Sequence, residues 1–190
     1  MKKLLFTIAI SGILAITSAF TLPTVSKLVT KAGHINFFSH TAVEDISANN
    51  YKVVSTLDTA TGEVVYSVPM QGFEFEKALM QKHYNSKKFL DTKTFPKAKF
   101  KGQITNLEAI NFEADGTYNA TITGEMNLHG ITKAITETAT ITVSGNKITV
   151  ETKVNLTLVD YKVAFKGGKP STNIAKTIEV TSKSEYTKEG

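Results

Sequence analysis

The chain has no cysteine, no tryptophan and no arginine among its 190 residues. The absence of cysteine excludes disulfides, thiolate metal sites, a cysteine nucleophile and a lipid-modified N-terminal cysteine. The absence of arginine means that all 22 cationic residues are lysine, so no guanidinium can clamp a phosphate or read a base edge. The formal net charge of +5 therefore does not indicate a nucleic-acid-binding protein.

The N-terminus carries the one long hydrophobic run, residues 4–16, which follows Lys2 and Lys3 and precedes the small residues at 17–19. A short basic region, an apolar stretch and a small-residue cleavage site are typical of a secretory signal peptide. We expect residues 1–19 to be this signal peptide, residues 20–190 to be one domain, and the protein to be periplasmic or secreted. An uncleaved anchor is the alternative, although a membrane-spanning helix needs roughly 20 residues.

The rest of the chain is dominated by alternation of apolar and polar residues. Between residues 148 and 158, five of the six even positions are apolar and no odd position is. A period of two is typical of a strand with one buried face. The same reading predicts eight strands, at 33–38, 51–57, 64–70, 97–104, 118–128, 135–143, 148–158 and 177–183.

Turn residues and strand length select the architecture. Thr61-Gly62, Asp115-Gly116 and Ser144-Gly145 predict tight hairpins between antiparallel strands. Apolar residues at helical spacing predict one amphipathic helix from Phe75 to Asn85, with Glu74 and Glu76 at its first turn. Strands of up to 11 residues favour an all-β, eight-stranded antiparallel up-and-down barrel over a sandwich of shorter strands.

Parity alone does not decide whether the apolar face points inward or towards lipid, as in an outer-membrane barrel. The absence of tryptophan, the polar residues at 186–190 and the inserted helix favour the inward arrangement. Small residues at predicted inward positions either leave a tunnel for an elongated apolar molecule or fit the taper of a packed barrel. They are Ala98, Gly102, Ala120, Gly124 and Ala139.

Residues with catalytic potential are scattered. The four histidines have no metal-ligand spacing, no G-x-S-x-G or phosphate loop occurs, and no two carboxylates can be placed on one face. The sequence therefore predicts a protein that is not an enzyme and needs no metal or cofactor.

Four segments in order resemble the YceI-like family of lipid- and polyisoprenoid-binding proteins: 33–40 with 43–46, 89–102, 124–133 and 158–163. They read GHINFFSH with VEDI, FLD…FPKAKFKG, GEMNLHGITK and LVDYKV. The resemblance implies an extended, lipocalin-like barrel outside the cytoplasm that binds an isoprenoid-like lipid or other amphiphile. It also implies no nucleic acid and no stable membrane insertion, and leaves a homodimer as an open alternative.

On this reading the barrel lumen holds the lipid, and strand parity supplies candidate lining residues. The candidates are Phe37, Phe100, Ile104, Ile122, Met126, Ile141, Val154 and Leu156. Phe75 and Leu79 would form a helical lid, Phe89 and Phe95 would line the segment after it, and a large side chain at Gly124 would block the lumen. Polar residues at the mouth would be His129 or Asp160. The alternatives are a ligand-free barrel for envelope stress or protein interaction, and an enzyme acting on a lipid.

Overall fold

The fold is a closed β-barrel, described for residues 27–163 and 173–188 by a computed structural model. The predicted signal peptide and residues 164–172 lie outside the described residues. The elements are β1 (Lys27–His40), β2 (Asp45–Asp58), β3 (Glu63–Pro69), β4 (Glu74–Phe75), α1 (Ala78–Asn85), β5 (Lys97–Ile104), β6 (Gly116–Leu128), β7 (Ile131–Ser144), β8 (Lys147–Thr157) and β9 (Thr177–Thr187). Three short 3₁₀ helices cover Met70–Gly72, Leu107–Ala109 and Leu158–Tyr161.

Eight long strands form the barrel, which confirms the predicted architecture. The order is β1-β9-β8-β7-β6-β5-β3-β2, and pairing of β1 with β2 closes the sheet. Every neighbouring pair is antiparallel. The two-residue β4 adds to β2 outside this order. Closure removes the free strand edges that an open sheet would expose.

The antiparallel register gives the barrel two ends. The connections 41–44, 70–96 and 129–130 lie at one end, which we call the entrance end, together with the described residues 158–163 and 173–176 between β8 and β9. The connections 59–62, 105–115 and 145–146 lie at the other, the closed end.

The apolar faces of the strands point into the barrel. In β8, Ile148 and Val150 are fully buried, whereas Glu151 and Lys153 are exposed and form ion pairs with β9 on the outer wall. This alternation holds because successive side chains of a strand point to opposite faces. The question that sequence parity left open is therefore answered in favour of an apolar interior.

Two of the three predicted glycine turns have the expected backbone. Gly62 and Gly145 adopt positive φ values of 77° and 57°. Gly116 is not in that region, and it begins β6 after the eleven-residue connection from β5. Its neighbour Asp115 instead accepts a hydrogen bond from the backbone N–H of Gly145 (2.7 Å), which ties two connections of the closed end together.

The helix is shorter than predicted. It begins at Ala78, because Glu74 and Phe75 extend as β4 and pair with Asn49 and Ala48 of β2. Glu74 and Glu76 therefore precede the helix, and its first turn holds no acidic residue. Within the described chain, no helix has both the length and the apolar character needed to cross a bilayer.

Candidate lipid-binding cavity

The entrance half of the barrel contains a cavity of about 440 Å³. Its wall is built from the entrance ends of β1, β2, β3, β5, β6, β8 and β9, together with α1 and the connections beside it. The cavity opens at the entrance end, where its lining includes the exposed His83. The lining side chains are mainly apolar, and include Ile35, Phe37, Ile46, Val68, Met70, Phe73, Phe75, Met80, Phe89, Leu90, Ala98, Met126, Leu128, Leu156, Leu158, Val163, Ile174, Ile178 and Val180.

Five of the predicted lumen residues line this cavity. They are Phe37, Phe75, Phe89, Met126 and Leu156. Ile104, Ile122 and Ile141 point inward as predicted but lie in the closed half, where they are 0–5% exposed and pack into the core. The sequence-based set was therefore wrong in extending the cavity along the whole lumen, because large side chains fill the closed half.

Gly124 does not face open space. A Cβ atom there would collide with the backbone of β5 at Gly102 and Lys101. The prediction that a large residue at Gly124 would block the cavity is wrong, since the glycine instead lets β5 and β6 approach closely. The Phe100 ring covers Gly102 from two residues away on the same face and does not line the cavity.

Most of the other small inward residues also do not create the cavity. Ala120 and Ala139 are opposite each other in β6 and β7 and are almost fully buried in the closed half. Val154 is half-buried against the core and lies outside the cavity lining. Ala98 alone of the small residues named from the sequence borders the empty space.

An aromatic cluster forms one wall of the cavity. We define it as Phe37, Phe73, Phe75, Tyr84 and Phe89. The Tyr84 ring lies 5.0 Å from Phe75, 5.7 Å from Phe73, 5.9 Å from Phe37 and 6.5 Å from Phe89, measured between ring centroids. Such separations are typical of favourable aromatic pairs. Burial raises the pKa of Tyr84 well above its usual value, and its hydroxyl has no hydrogen-bond partner among the described residues.

The helix presents different residues to the cavity than predicted. Met80 and Tyr84, four residues apart, face inward, whereas Leu79 is 62% exposed and does not line the cavity. The assignment of Leu79 as a lid residue is therefore wrong. Burial of Tyr84, the one buried residue of α1, determines which face of the helix points towards the cavity. The Met80–Tyr84 spacing was present in the sequence and could have identified this face.

Polar groups on the cavity wall come from the entrance connections. The Glu44 carboxylate accepts from Lys77 Nζ (3.4 Å) and from Asn173 Nδ2 (3.3 Å), which links the β1–β2 turn to the helix and to the segment before β9. Buried Ser39 accepts the Ala175 backbone N–H at 2.9 Å. Sequence reasoning assigned no site role to these residues, although Ser39 and Glu44 lie within the family-like segments 33–40 and 43–46.

The predicted mouth residues His129 and Asp160 lie outside the cavity lining. His129 donates from Nδ1 to the carbonyl oxygen of Tyr161 (3.1 Å) and packs edge-on against the Phe95 ring at 4.5 Å. Asp160 is exposed and pairs with Lys133 (3.4 Å). His129 therefore contacts residues of two other family-like segments, Phe95 and Tyr161, at the entrance end. Phe95, which was predicted to line the cavity, packs against His129 and lies outside the cavity lining.

The described chain offers little for catalysis. None of its His, Asp and Glu side chains group in threes or more in a way that could hold a metal ion. The resolved pKa shifts belong to Tyr84, Tyr161 and Tyr186, and burial is the largest cause of each. Tyr186 lies in the closed half, where its hydroxyl is 2.5 Å from Ser55 Oγ. The site is therefore defined by shape and apolar lining.

The protein is therefore a closed antiparallel β-barrel with an internal apolar cavity at one end. The YceI-like domain family matches residues 22–186, and the chain belongs to this family. No curated protein matches the chain.

Solved structures share the fold at low sequence identity. A polyisoprenoid-binding domain from Saccharophagus degradans, implicated in plant cell wall breakdown, superposes with a TM-score of 0.72 at 13% identity, covering 87% of this chain and 99% of that chain. BcnA from Burkholderia cenocepacia gives 0.68 at 16% identity, covering 82% and 96%. The YCEI protein of Campylobacter jejuni gives 0.55 at 15% identity, covering 100% of both.

Proposed function

We propose that this protein is a non-catalytic binding protein that holds an elongated amphiphilic lipid, isoprenoid-like in character, in the entrance half of its barrel. The observation that carries the proposal is the apolar cavity of about 440 Å³. Its volume lies within the range of about 300–1,000 Å³ that is usual for small-molecule sites. Burial of apolar ligand surface would supply the binding free energy, at about 25 cal/mol per Å².

The distribution of polar groups supports an amphiphile over a pure hydrocarbon. The polar side chains of the lining, Ser39, Glu44, His83 and Asn173, come from the entrance side of the barrel. The apolar part of a ligand would enter towards Met126 and Leu156, and its polar end would remain near these groups. The description of the Saccharophagus domain as polyisoprenoid-binding supports an isoprenoid-like ligand.

The compartment is part of the proposal. The N-terminal pattern of two lysines, an apolar run and small residues supports export to the periplasm or the cell exterior. A carrier of an insoluble lipid is useful in an aqueous compartment between membranes. N-terminal sequencing of the protein purified from its export compartment would test the expected cleavage after Ala19.

The binding proposal is tested by solvent extraction of the purified protein, with mass spectrometry of what is released, and by calorimetric titration with an isoprenoid alcohol. We expect a bound lipid and a negative heat-capacity change of binding, because apolar surface is buried. A protein that releases no lipid and binds no isoprenoid alcohol would instead be a ligand-free barrel.

Two neighbouring phenylalanines provide a matched pair for the titration. Phe37 lines the cavity within the aromatic cluster, whereas Phe38 is on the outer face of β1 and 38% exposed. We expect Phe37→Ala to weaken binding about tenfold, equivalent to about 1.4 kcal/mol, and Phe38→Ala to leave it unchanged. Equal effects of the two substitutions would contradict a site inside the barrel.

A further inference from the structure

Three exposed apolar side chains lie on the connections of the entrance end. Val43, Leu79 and Val159 are 64%, 62% and 68% exposed, more than any other large apolar side chain of the described residues. Each is adjacent in sequence to a cavity-lining residue, namely Glu44, Met80 and Leu158. They come from three separate connections of the entrance end.

Charge is distributed unequally between the two ends of the barrel. The described connections of the entrance end carry seven lysines and five acidic residues, and Lys82, Lys87, Lys88 and Lys162 are exposed. The connections of the closed end carry no lysine and three acidic residues, Glu108, Glu113 and Asp115. The barrel therefore presents its cationic end where its cavity opens.

We propose that the entrance end docks on the surface of an anionic lipid bilayer. We define the docking face as Val43, Leu79, Lys82, Lys87, Lys88, Val159 and Lys162. The apolar members would insert among the headgroups, and the lysines would contact lipid phosphates. Docking would place the cavity opening at the headgroup level, so that the proposed lipid ligand could pass between bilayer and barrel without crossing water.

A bilayer fits this face better than a protein partner does. The exposed apolar side chains of this face are three aliphatic residues on three connections, two of which also carry exposed lysines, and they lack the aromatic residues that are enriched in typical protein interfaces. They can enter a fluid headgroup layer independently of one another. Leu79 and Lys82 lie three residues apart on the exposed side of α1, an apolar–cationic pairing typical of interfacial helices.

Vesicle co-sedimentation tests the docking face. We expect the purified full chain to sediment with phosphatidylglycerol-containing vesicles at least tenfold more strongly than with pure phosphatidylcholine vesicles, and raised salt to release it. Val43→Ser, Leu79→Ser and Val159→Ser combined should reduce this binding at least fivefold, as should Lys82→Glu, Lys87→Glu and Lys88→Glu combined. All variants are purified with the same N-terminus, so differences between them report on the barrel.

Matched controls place the same changes elsewhere on the barrel. Val29→Ser with Val54→Ser removes exposed apolar side chains from the outer wall, and Lys31→Glu, Lys99→Glu and Lys147→Glu change the same total charge. These controls should sediment like the unaltered protein. Equal losses from the controls, or no preference for anionic vesicles, would overturn the proposal. So would a dimer in size-exclusion chromatography that the Val43 and Leu79 substitutions dissociate, since a second copy would then cover this face.

This inference rests on the proposed lipid-binding function, but the two fail separately. The docking variants should bind a dissolved isoprenoid alcohol normally in calorimetry without vesicles. Phe37→Ala should lose affinity for the alcohol and still sediment with anionic vesicles. If the unaltered protein binds the alcohol but does not sediment with anionic vesicles, docking alone is refuted. If it sediments but does not bind the alcohol, the cavity alone is refuted.

Discussion

Replacement of Ala98 by phenylalanine tests whether the entrance half of the barrel is empty. Ala98 borders the cavity on β5, opposite Val68 of β3, which also lines it. A phenyl group there would enter existing space. Burial of an aromatic side chain contributes about 1.5–3 kcal/mol, and we allow about 1 kcal/mol for imperfect fit. We therefore expect the lipid-free variant to be about 0.5–2 kcal/mol more stable than the unaltered protein.

The matched control is Ala120→Phe in the closed half. Ala120 is 1% exposed and lies outside the cavity lining. Forcing a ring into this packed region should destabilise the fold by about 1–3 kcal/mol or more. The same substitution is thus expected to change stability in opposite directions at two positions of neighbouring strands.

Thermal unfolding of delipidated protein, followed by circular dichroism, measures both effects. For a chain of this size, 1 kcal/mol corresponds to about 2–4 °C in Tm. Added lipid at about 100 times its Kd should stabilise the unaltered protein by about 2.7 kcal/mol, and Ala98→Phe by much less. A lipid-free Ala98→Phe variant as unstable as Ala120→Phe would show that the lumen is filled and would refute the binding site.

Further predictions concern the closed half and the response to pH. Gly124→Ala should lower the free energy of unfolding by about 1–3 kcal/mol, because the added Cβ would collide with the β5 backbone. Gly145→Ala should cost only about 1 kcal/mol in urea unfolding, because a Cβ there would meet no described atom within 4 Å and only the positive φ is unfavourable. Tyr186→Phe removes the buried contact with Ser55 and should lower Tm by about 2–4 °C, for a net loss of about 1 kcal/mol; an unchanged Tm would contradict a stabilising role for that contact. Burial raises the pKa of Tyr84 above its ordinary value of 10.0, so the folded state keeps this proton to higher pH than the unfolded state does. The contribution of Tyr84 to stability should therefore be constant up to about pH 10 and fall above it, and Tyr84→Phe should make the alkaline decline shallower in denaturant titrations at pH 9–12.

Several residues of the family-like segments have a structural role at the entrance end. His129 and Gly130 form the turn between β6 and β7 with φ values of 52° and 75°, and a Cβ on Gly130 would meet the Phe95 ring. His129 also holds the Tyr161 carbonyl. These residues secure the entrance connections, whereas other members of the same segments, such as Phe37, Phe89 and Met126, line the cavity.

The strand pattern by itself predicted an antiparallel barrel whose strands each have one apolar face, and it left open whether that face points inward. Side chains alternate across a strand, so residues such as Ile122 and Met126 must share a face whatever surrounds them. Only the tertiary structure decided that Ile122 is packed and Met126 borders a cavity. That difference depends on what lies across the lumen and at its ends. Large side chains from opposite strands pack together in the closed half, whereas the cavity of the entrance half is bordered by α1 and its neighbouring connections, with Tyr84 in its wall. Period-two alternation contains no information on either arrangement.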